Sequence, residues 1–223
     1  MPGQIYGVSG TGLSGDVSFA ASKTAAEVGR VAEQKMGVYL NEKARAFDVA
    51  VLHDLRNPNP RYGGANIDEV VCWADDRHVT HVQILDTKAW KPGLYWTFGG
   101  KTRRGLTRLE HLEGKQVRFK DPQTGQWVSK RSNAVTLAQD SLRTYLAGTG
   151  AVVEQPLIAV YSSRKEGKPS TGLLKYPGCR VVAAESLDRV LDFDRMRTPD
   201  SAVVARLAQL VTPPKVVKSN RRY

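Results

Sequence analysis

Apolar residues recur along this chain with two different periods, and the switches between them divide it into helices and strands. In residues 24–40 the positions Ala25, Val28, Ala32, Met36 and Leu40 fall three or four apart, which predicts a helix with one buried stripe. Ser22 or Thr24 can cap it, with Glu27 in its first turn. The same spacing at Val135, Ala138, Leu142 and Leu146 predicts a second helix over 133–146. Pro199 and Asp200 open a third over 198–210, after a short one at 186–191. Residues 47–53, FDVAVLH, are apolar on both alternating sides and predict a strand buried on both faces. Segments 67–73 and 81–85, rich in β-branched residues, flank the polar run 74–78, which is the pattern of strand, turn, strand. Short β segments follow at 94–98, 117–120 and 126–128, set apart by turn-forming Gly99-Gly100 and by 121–125. A strand pair or kinked strand broken at Pro156 is expected over 152–161, and a last strand at 180–183. This order of elements predicts an α/β protein, a mixed central β-sheet flanked by helices.

Between these elements the pattern lapses. Residues 1–22 carry Gly3, Gly7, Gly10, Gly12 and Gly15 without a sustained period, and read either as a loosely ordered leader or as an arm that orders only on docking to the main body. Gly10-Thr11-Gly12 lacks the Gly-Lys-Ser/Thr ending of a phosphate loop. Residues 57–64, with two prolines and two glycines, form a turn-rich connection leading into Asp68. Residues 162–178 read as a basic surface loop, and 212–223 as a basic tail without periodicity. The expected division is an arm (1–22), one domain (23–211) and a tail (212–223), with no internal repeat.

Charge narrows the classes of partner. Thirty-three Lys and Arg against 22 Asp and Glu give a net charge of +11 and a pI near 9.8 over 223 residues. A surplus of that size favours a polyanion, and nucleic acid is the default because phosphate contacts supply the sequence-independent part of binding. Cys72 and Cys179 form neither a disulfide framework nor a metal-ligand spacing, and Cys72 is expected to be a small buried hydrophobe. With no long apolar run and no basic-then-apolar leader, the expectation is a cytoplasmic protein with no membrane partner.

The chemistry concentrates in IDEVVCWADDRHVTHVQILDTKAW, residues 67–90. Position 77 is the midpoint of 68 and 86, so an antiparallel pair folded about Arg77 sets Asp68 and Asp86 opposite each other, about 5 Å apart. Lys88, two residues beyond Asp86, shares its face. Two facing carboxylates repel unless a positive charge lies between them, and a hard cation such as Mg²⁺ (or Mn²⁺) fits that role. Lys88 can then orient water and steady charge on a phosphate oxygen.

Asn66-Ile67-Asp68-Glu69-Val70-Val71, followed by Val82-Gln83-Ile84-Leu85-Asp86-Thr87-Lys88-Ala89-Trp90, resembles the nuclease-related domain (NERD) family of the PD-(D/E)XK nuclease superfamily. Its members carry an N/E-I-D-H-hydrophobic run and an apolar strand ending in (E/D)-x-K-N-W. Glu69 stands where that family usually has His, and Ala89 where it usually has Asn. The resemblance covers roughly residues 24–195 and is concentrated in 67–90. It implies a restriction-endonuclease-like fold and Mg²⁺-dependent hydrolysis of DNA, with Asp68 and Asp86 as metal ligands and Lys88 positioning the attacking water. It also implies an acidic residue from the N-terminal helix. Glu33, whose surroundings Gly29 and Gly37 leave uncrowded, is the preferred match, and Glu27 in Ala26-Glu27-Val28-Gly29-Arg30 is the alternative. Gln139 resembles a glutamine that such domains place near substrate or the carboxylates.

Lys101, Arg103, Arg104 and Arg108 cluster among the short β segments, which predicts a basic β-ribbon cradling the nucleic-acid backbone. Tyr95, Trp96 and Trp127 are candidates for base stacking. The competing expectation is a catalytically silent DNA-binding module within a larger complex. RNA as substrate, and assembly as a homodimer or a larger nucleoprotein complex, stay open.

Overall fold

The first helical stripe runs further than its clearest repeat. Adding four residues to Leu40 reaches Ala44, and helix α1 (Lys23–Ala46) buries Ala32, Met36, Leu40 and Ala44 along one side. The computed structural model describes residues 3–10, 23–62, 66–98, 101–105, 115–117, 119–120, 127–128 and 134–213. Strand β2 (Ala50–Arg56) starts three residues later than the apolar run, and Phe47, left outside it, stacks on Phe193 at 5.7 Å. Its burial on both faces agrees with the expectation, from Ala50 through Leu55.

The central sheet has seven strands, in the order β1 (Gln4–Tyr6), β2, β3 (Asn66–Ala74), β4 (Thr80–Trp90), β11 (Leu157–Ser162) and β13 (Arg180–Ala183), with β10 (Val152–Val153) also on β4. It is mixed: β2, β3 and β4 are antiparallel neighbours, while β1 lies parallel to β2, and β10 and β11 parallel to β4. Pro156 separates β10 from β11, as its missing N–H requires. The β3–β4 turn is closed by Asp75, whose Oδ1 accepts from the Arg77 and Val79 N–H groups at 2.9 Å.

Helices cover both faces. Met36, Leu40 and Ala44 of α1 pack with Val51, Val71, Leu85, Leu157 and Ala159. On the other face α2 (Ala134–Tyr145) and α3 (Ser201–Ala208) bring Val135, Leu142, Val203 and Leu207 against Leu52, Val70, Ile84 and Ile158. Asp200 caps α3 by accepting from the Ala202 N–H at 2.7 Å. This is an α/β protein with a mixed sheet between helical layers. A smaller sheet, β12 (Pro169–Leu173), β5 (Gly93–Phe98), β6 (Lys101–Gly105) and β7 (Lys115–Gln116), and the pair β8 (Phe119–Lys120) and β9 (Trp127–Val128), complete the described strands. Among the described residues no helix is long and apolar enough to cross a membrane.

One stretch departs from expectation, and another takes one of its two expected forms. The N-terminal arm is docked on the main body where it is described: Gln4, Ile5 and Tyr6 pair with Ala50, Val51 and Leu52 as an edge strand. Its glycines serve close approach: Gly7 has φ +77°, and a Cβ there would lie 2.5 Å from the His53 carbonyl oxygen. The segment read as a surface loop contains β12, parallel to β5. The expected tail beyond 213 lies outside the described residues.

Candidate active site

The sheet forks where the motif lies. β2 and β3 stay paired out to Arg56 and Asn66, and β4 and β11 out to Trp90 and Ser162, but β3 and β4 part after Glu69 and Leu85. That register, extended by one residue, sets Asp68 opposite Asp86, as the symmetry about Arg77 predicts. At the fork the Asp68 carboxylate takes the place of a ladder partner: its Oδ2 accepts from the Thr87 N–H at 3.1 Å. Lys88 shares a face with Asp86 and its Nζ donates to Asp86 Oδ1 at 2.6 Å. The same ammonium lies 3.2 Å from the Thr87 carbonyl oxygen and 3.9 Å from Asp68 Oδ2. Asp68, Asp86 and Lys88 are therefore brought together.

Glu33 belongs to the same cluster. Burial, together with the charges of Asp68 and Asp86, raises its carboxyl from an ordinary 4.5 to about 8, with Lys88 pulling the other way. Asp68 is raised to about 6, first by burial and then by Asp86, against the opposing effects of Lys88 and the Thr87 N–H. Glu27, the alternative to Glu33, is exposed and lines a separate groove beside Lys35, Tyr161, Arg164 and Lys165. Among the described residues acid thus outweighs base at the fork, and the Lys88 ammonium sits among oxygens that suit a hard cation.

The side chains do not close on a metal as they stand. Among the described residues no group of three or more His, Cys, Asp or Glu side chains forms a metal-binding set. The Lys88 ammonium lies 2.6 Å from Asp86 and 3.9 Å from Asp68. The donors still fit Mg²⁺ or Mn²⁺. They are hard oxygens, and burial, with the neighbouring carboxylates, raises the Glu33 and Asp68 carboxyls against the opposing charge of Lys88.

Behind the fork lies a buried network that no sequence signal marked. Glu69 is fully buried; its Oε2 accepts from Thr87 Oγ1 at 3.2 Å and its Oε1 lies 2.9 Å from Ser9 Oγ. Ser9 Oγ also lies 2.8 Å from the Glu33 carbonyl oxygen. A hydroxyl has one proton and a carbonyl only accepts, so both contacts are satisfied when Glu69 is protonated and donates to Ser9. Burial, with Asp68 close by, pushes the Glu69 carboxyl well above its ordinary range, in accord with that arrangement. Gly37 does not serve to open the surface around Glu33: a Cβ there would lie 2.3 Å from Ser9 Cβ. His53 is structural, buried with its Nε2 3.0 Å from Asn41 Oδ1, and burial lowers it to about 4.

The expected nucleic-acid contacts divide. Lys101, Arg103 and Arg104 lie on β6, with Arg103 over the Phe98 ring at 5.9 Å. Arg104 Nη1 donates to the Pro92 carbonyl at 3.2 Å and shares a cavity of about 310 Å³ with Lys91, Arg164 and Glu166. Arg108 lies outside the described residues. Gln139 is a correction: it is buried, and its Nε2 donates to the Glu154 carbonyl at 2.7 Å, holding the chain beside β10 rather than facing the carboxylates. Tyr95 and Trp96 are buried, and Tyr95 packs on Trp90 at 4.9 Å, so neither presents a face for base stacking. The Trp127 side chain is outside the description. A cavity of about 470 Å³ at the turn end of β3 and β4 mixes Asp75, Glu154 and Asp192 with Arg180 and Arg195, and has no counterpart of the Lys88 cluster.

Comparison with family models, with curated proteins and with solved structures finds no match.

Proposed function

We propose that this chain is a divalent-metal-dependent nuclease of restriction-endonuclease-like fold that hydrolyses DNA phosphodiester bonds. The observation that carries this reading is the fork: an ammonium held at 2.6 Å by Asp86 and 3.9 Å by Asp68, beside a third, raised carboxyl at Glu33. Asp68 and Asp86, with Glu33 in support, are the residues that would hold Mg²⁺ or Mn²⁺. Such an ion supplies a Lewis acid and lowers the pKa of water. Added positive charge draws the Glu33 and Asp68 carboxyls back to their ionised forms. Lys88, whose ammonium lies beside both aspartates, would position the attacking water and steady charge on the phosphate oxygen. The new bond joins water oxygen to phosphorus as the bond to the leaving oxygen breaks, and a proton passes to that oxygen.

The net charge of +11 supports a polyanionic substrate. Lys101, Arg103 and Arg104 of β6, with Lys91 and Arg164, supply cations for a backbone track on a basic ribbon. We propose with it a cytoplasmic location and assembly as a homodimer or within a larger nucleoprotein complex. The test is cleavage of plasmid, linear and single-stranded DNA and of RNA with Mg²⁺ or Mn²⁺. Lys88→Ala is expected to keep the fold and abolish cleavage, and full activity in that variant removes the mechanism.

One observation favours a second reading, a silent DNA-binding module: the carboxylates are not arranged as a closed metal set among the described residues. Calorimetric Mn²⁺ binding that is lost in Asp86→Asn favours the nuclease. DNA binding indifferent to metal, without nicking of supercoiled plasmid, favours the module.

A further inference from the structure

We infer that Ser9 and Glu69 form a positioning relay through which the N-terminal arm sets Glu33 and the Asp86-Thr87-Lys88 segment in place. The inference rests on the nuclease reading and adds to its site two residues that touch neither substrate nor cation.

Thr87 is the point where the relay meets the site. Its N–H donates to Asp68, its carbonyl accepts from Lys88, and its hydroxyl donates to Glu69 on the opposite side of the strand. Alternation along β4 makes this possible, because Thr87 faces α1 while Asp86 and Lys88 face the fork. Glu69 alternates likewise with Asp68 on β3, so two adjacent acidic residues have separate tasks. From Glu69 the path continues 2.9 Å to Ser9 and a further 2.8 Å to the main chain of Glu33. One hydroxyl therefore ties helix α1 to the strands that carry Asp68 and Lys88.

The surroundings are shaped for that hydroxyl. Gly37 lies one helical turn after Glu33, and a Cβ there would lie 2.3 Å from Ser9 Cβ and 2.8 Å from its Oγ. The pairing of β1 with β2 and the turn at Gly7 lead the arm to this point. A buried carboxyl at Glu69 would be costly without these partners, since an unbonded buried polar group gives up its hydration and gains nothing in return. An apolar residue at position 69 would avoid that cost but could not hold Thr87 and Ser9 together.

The test is calorimetric Mn²⁺ binding to the full chain, with thermal melts alongside to identify folded variants. Ser9→Ala, Gly37→Ala and Glu69→Ala are each expected to weaken Mn²⁺ about tenfold, whereas Glu69→Gln stays within about threefold, because an amide can donate to Ser9 and accept from Thr87. Ser9→Ala combined with Glu69→Ala is expected to be no weaker than Glu69→Ala alone, the signature of one chain of contacts. Unchanged Mn²⁺ affinity in folded Ser9→Ala and Gly37→Ala, with binding lost in Asp86→Asn, overturns the relay and leaves the metal site standing. A loss in Glu69→Gln as large as in Glu69→Ala overturns the hydrogen-bond account. Unchanged binding in Asp86→Asn overturns the nuclease reading and the relay together. Should Glu69→Ala fail to fold, Ser9→Ala and Gly37→Ala decide.

Discussion

Glu33 is one of the carboxyls at the fork that burial and neighbouring charge hold above the ordinary range. Its carboxyl titrates near 8 in the folded chain against 4.5 ordinarily. Between those values the folded state holds a proton that the unfolded state has released, so stability is present in full below 4.5 and is lost as pH rises through 8. The metal-free protein is therefore expected to melt at lower temperature at pH 8 than at pH 5. Glu33→Gln should reduce that dependence, to which Glu69 contributes in the same direction, and raise the melting temperature at pH 8. Mn²⁺ should do the same in the parent chain, and a slope unaltered by both treatments would remove Glu33 from the cluster. Asp68 contributes in the same direction over a narrower range, up to about 6.

Elements, more than single residues, decide what the fork can be. α1 is anchored by Met36 and Leu40, both with no exposed surface, in the core formed with Val51, Val71 and Leu85. Leu40→Ala is expected to cost about 2–5 kcal/mol in chemical denaturation, through lost burial and the cavity left behind. Because Leu40 faces the core, its Mn²⁺ affinity should remain near that of the parent chain while the protein is folded. A loss of affinity without loss of stability would show that α1 position is coupled to the site more tightly than its contacts indicate. β4 is the complementary element. It keeps its parallel pairing with β11 from Leu85 to Trp90 after β3 has parted from it, which holds Asp86 and Lys88 on a rigid strand beside an opening.

At the scale of the whole molecule, the proposed nuclease, with a net charge of +11, is expected to bind DNA more weakly as salt is raised. Arg104 and Arg164 share a cavity wall, and replacing both with Gln is expected to lower affinity evenly across DNA sequences and to reduce the salt slope by up to about two units. Fluorescence anisotropy across a salt series measures this, and an unchanged slope would move the backbone track elsewhere. Much of the molecule was legible in its sequence. The stripes Ala32, Met36, Leu40 and Val135, Ala138, Leu142 are buried as their spacing requires, and the hairpin register about Arg77 is the one observed. These features are local, because a period of 3.6 or 2 and a short turn are written in neighbouring residues. The failures turn on burial, which the assembled chain sets. Gln139 looked available until Glu154 took its amide, and Tyr95 and Trp96 looked like stacking platforms until they were buried.

The sequence alone determined the α/β order, the two-carboxylate hairpin and the excess of positive charge, because each is a matter of composition or of residues near one another in the chain. Only the tertiary structure decided that β3 and β4 part at the motif, that Glu33 rather than Glu27 faces the fork, and that Ser9 reaches Glu69 across 60 positions. Those outcomes depend on which surfaces are buried against each other, and burial is a property of the assembled chain that no local pattern encodes.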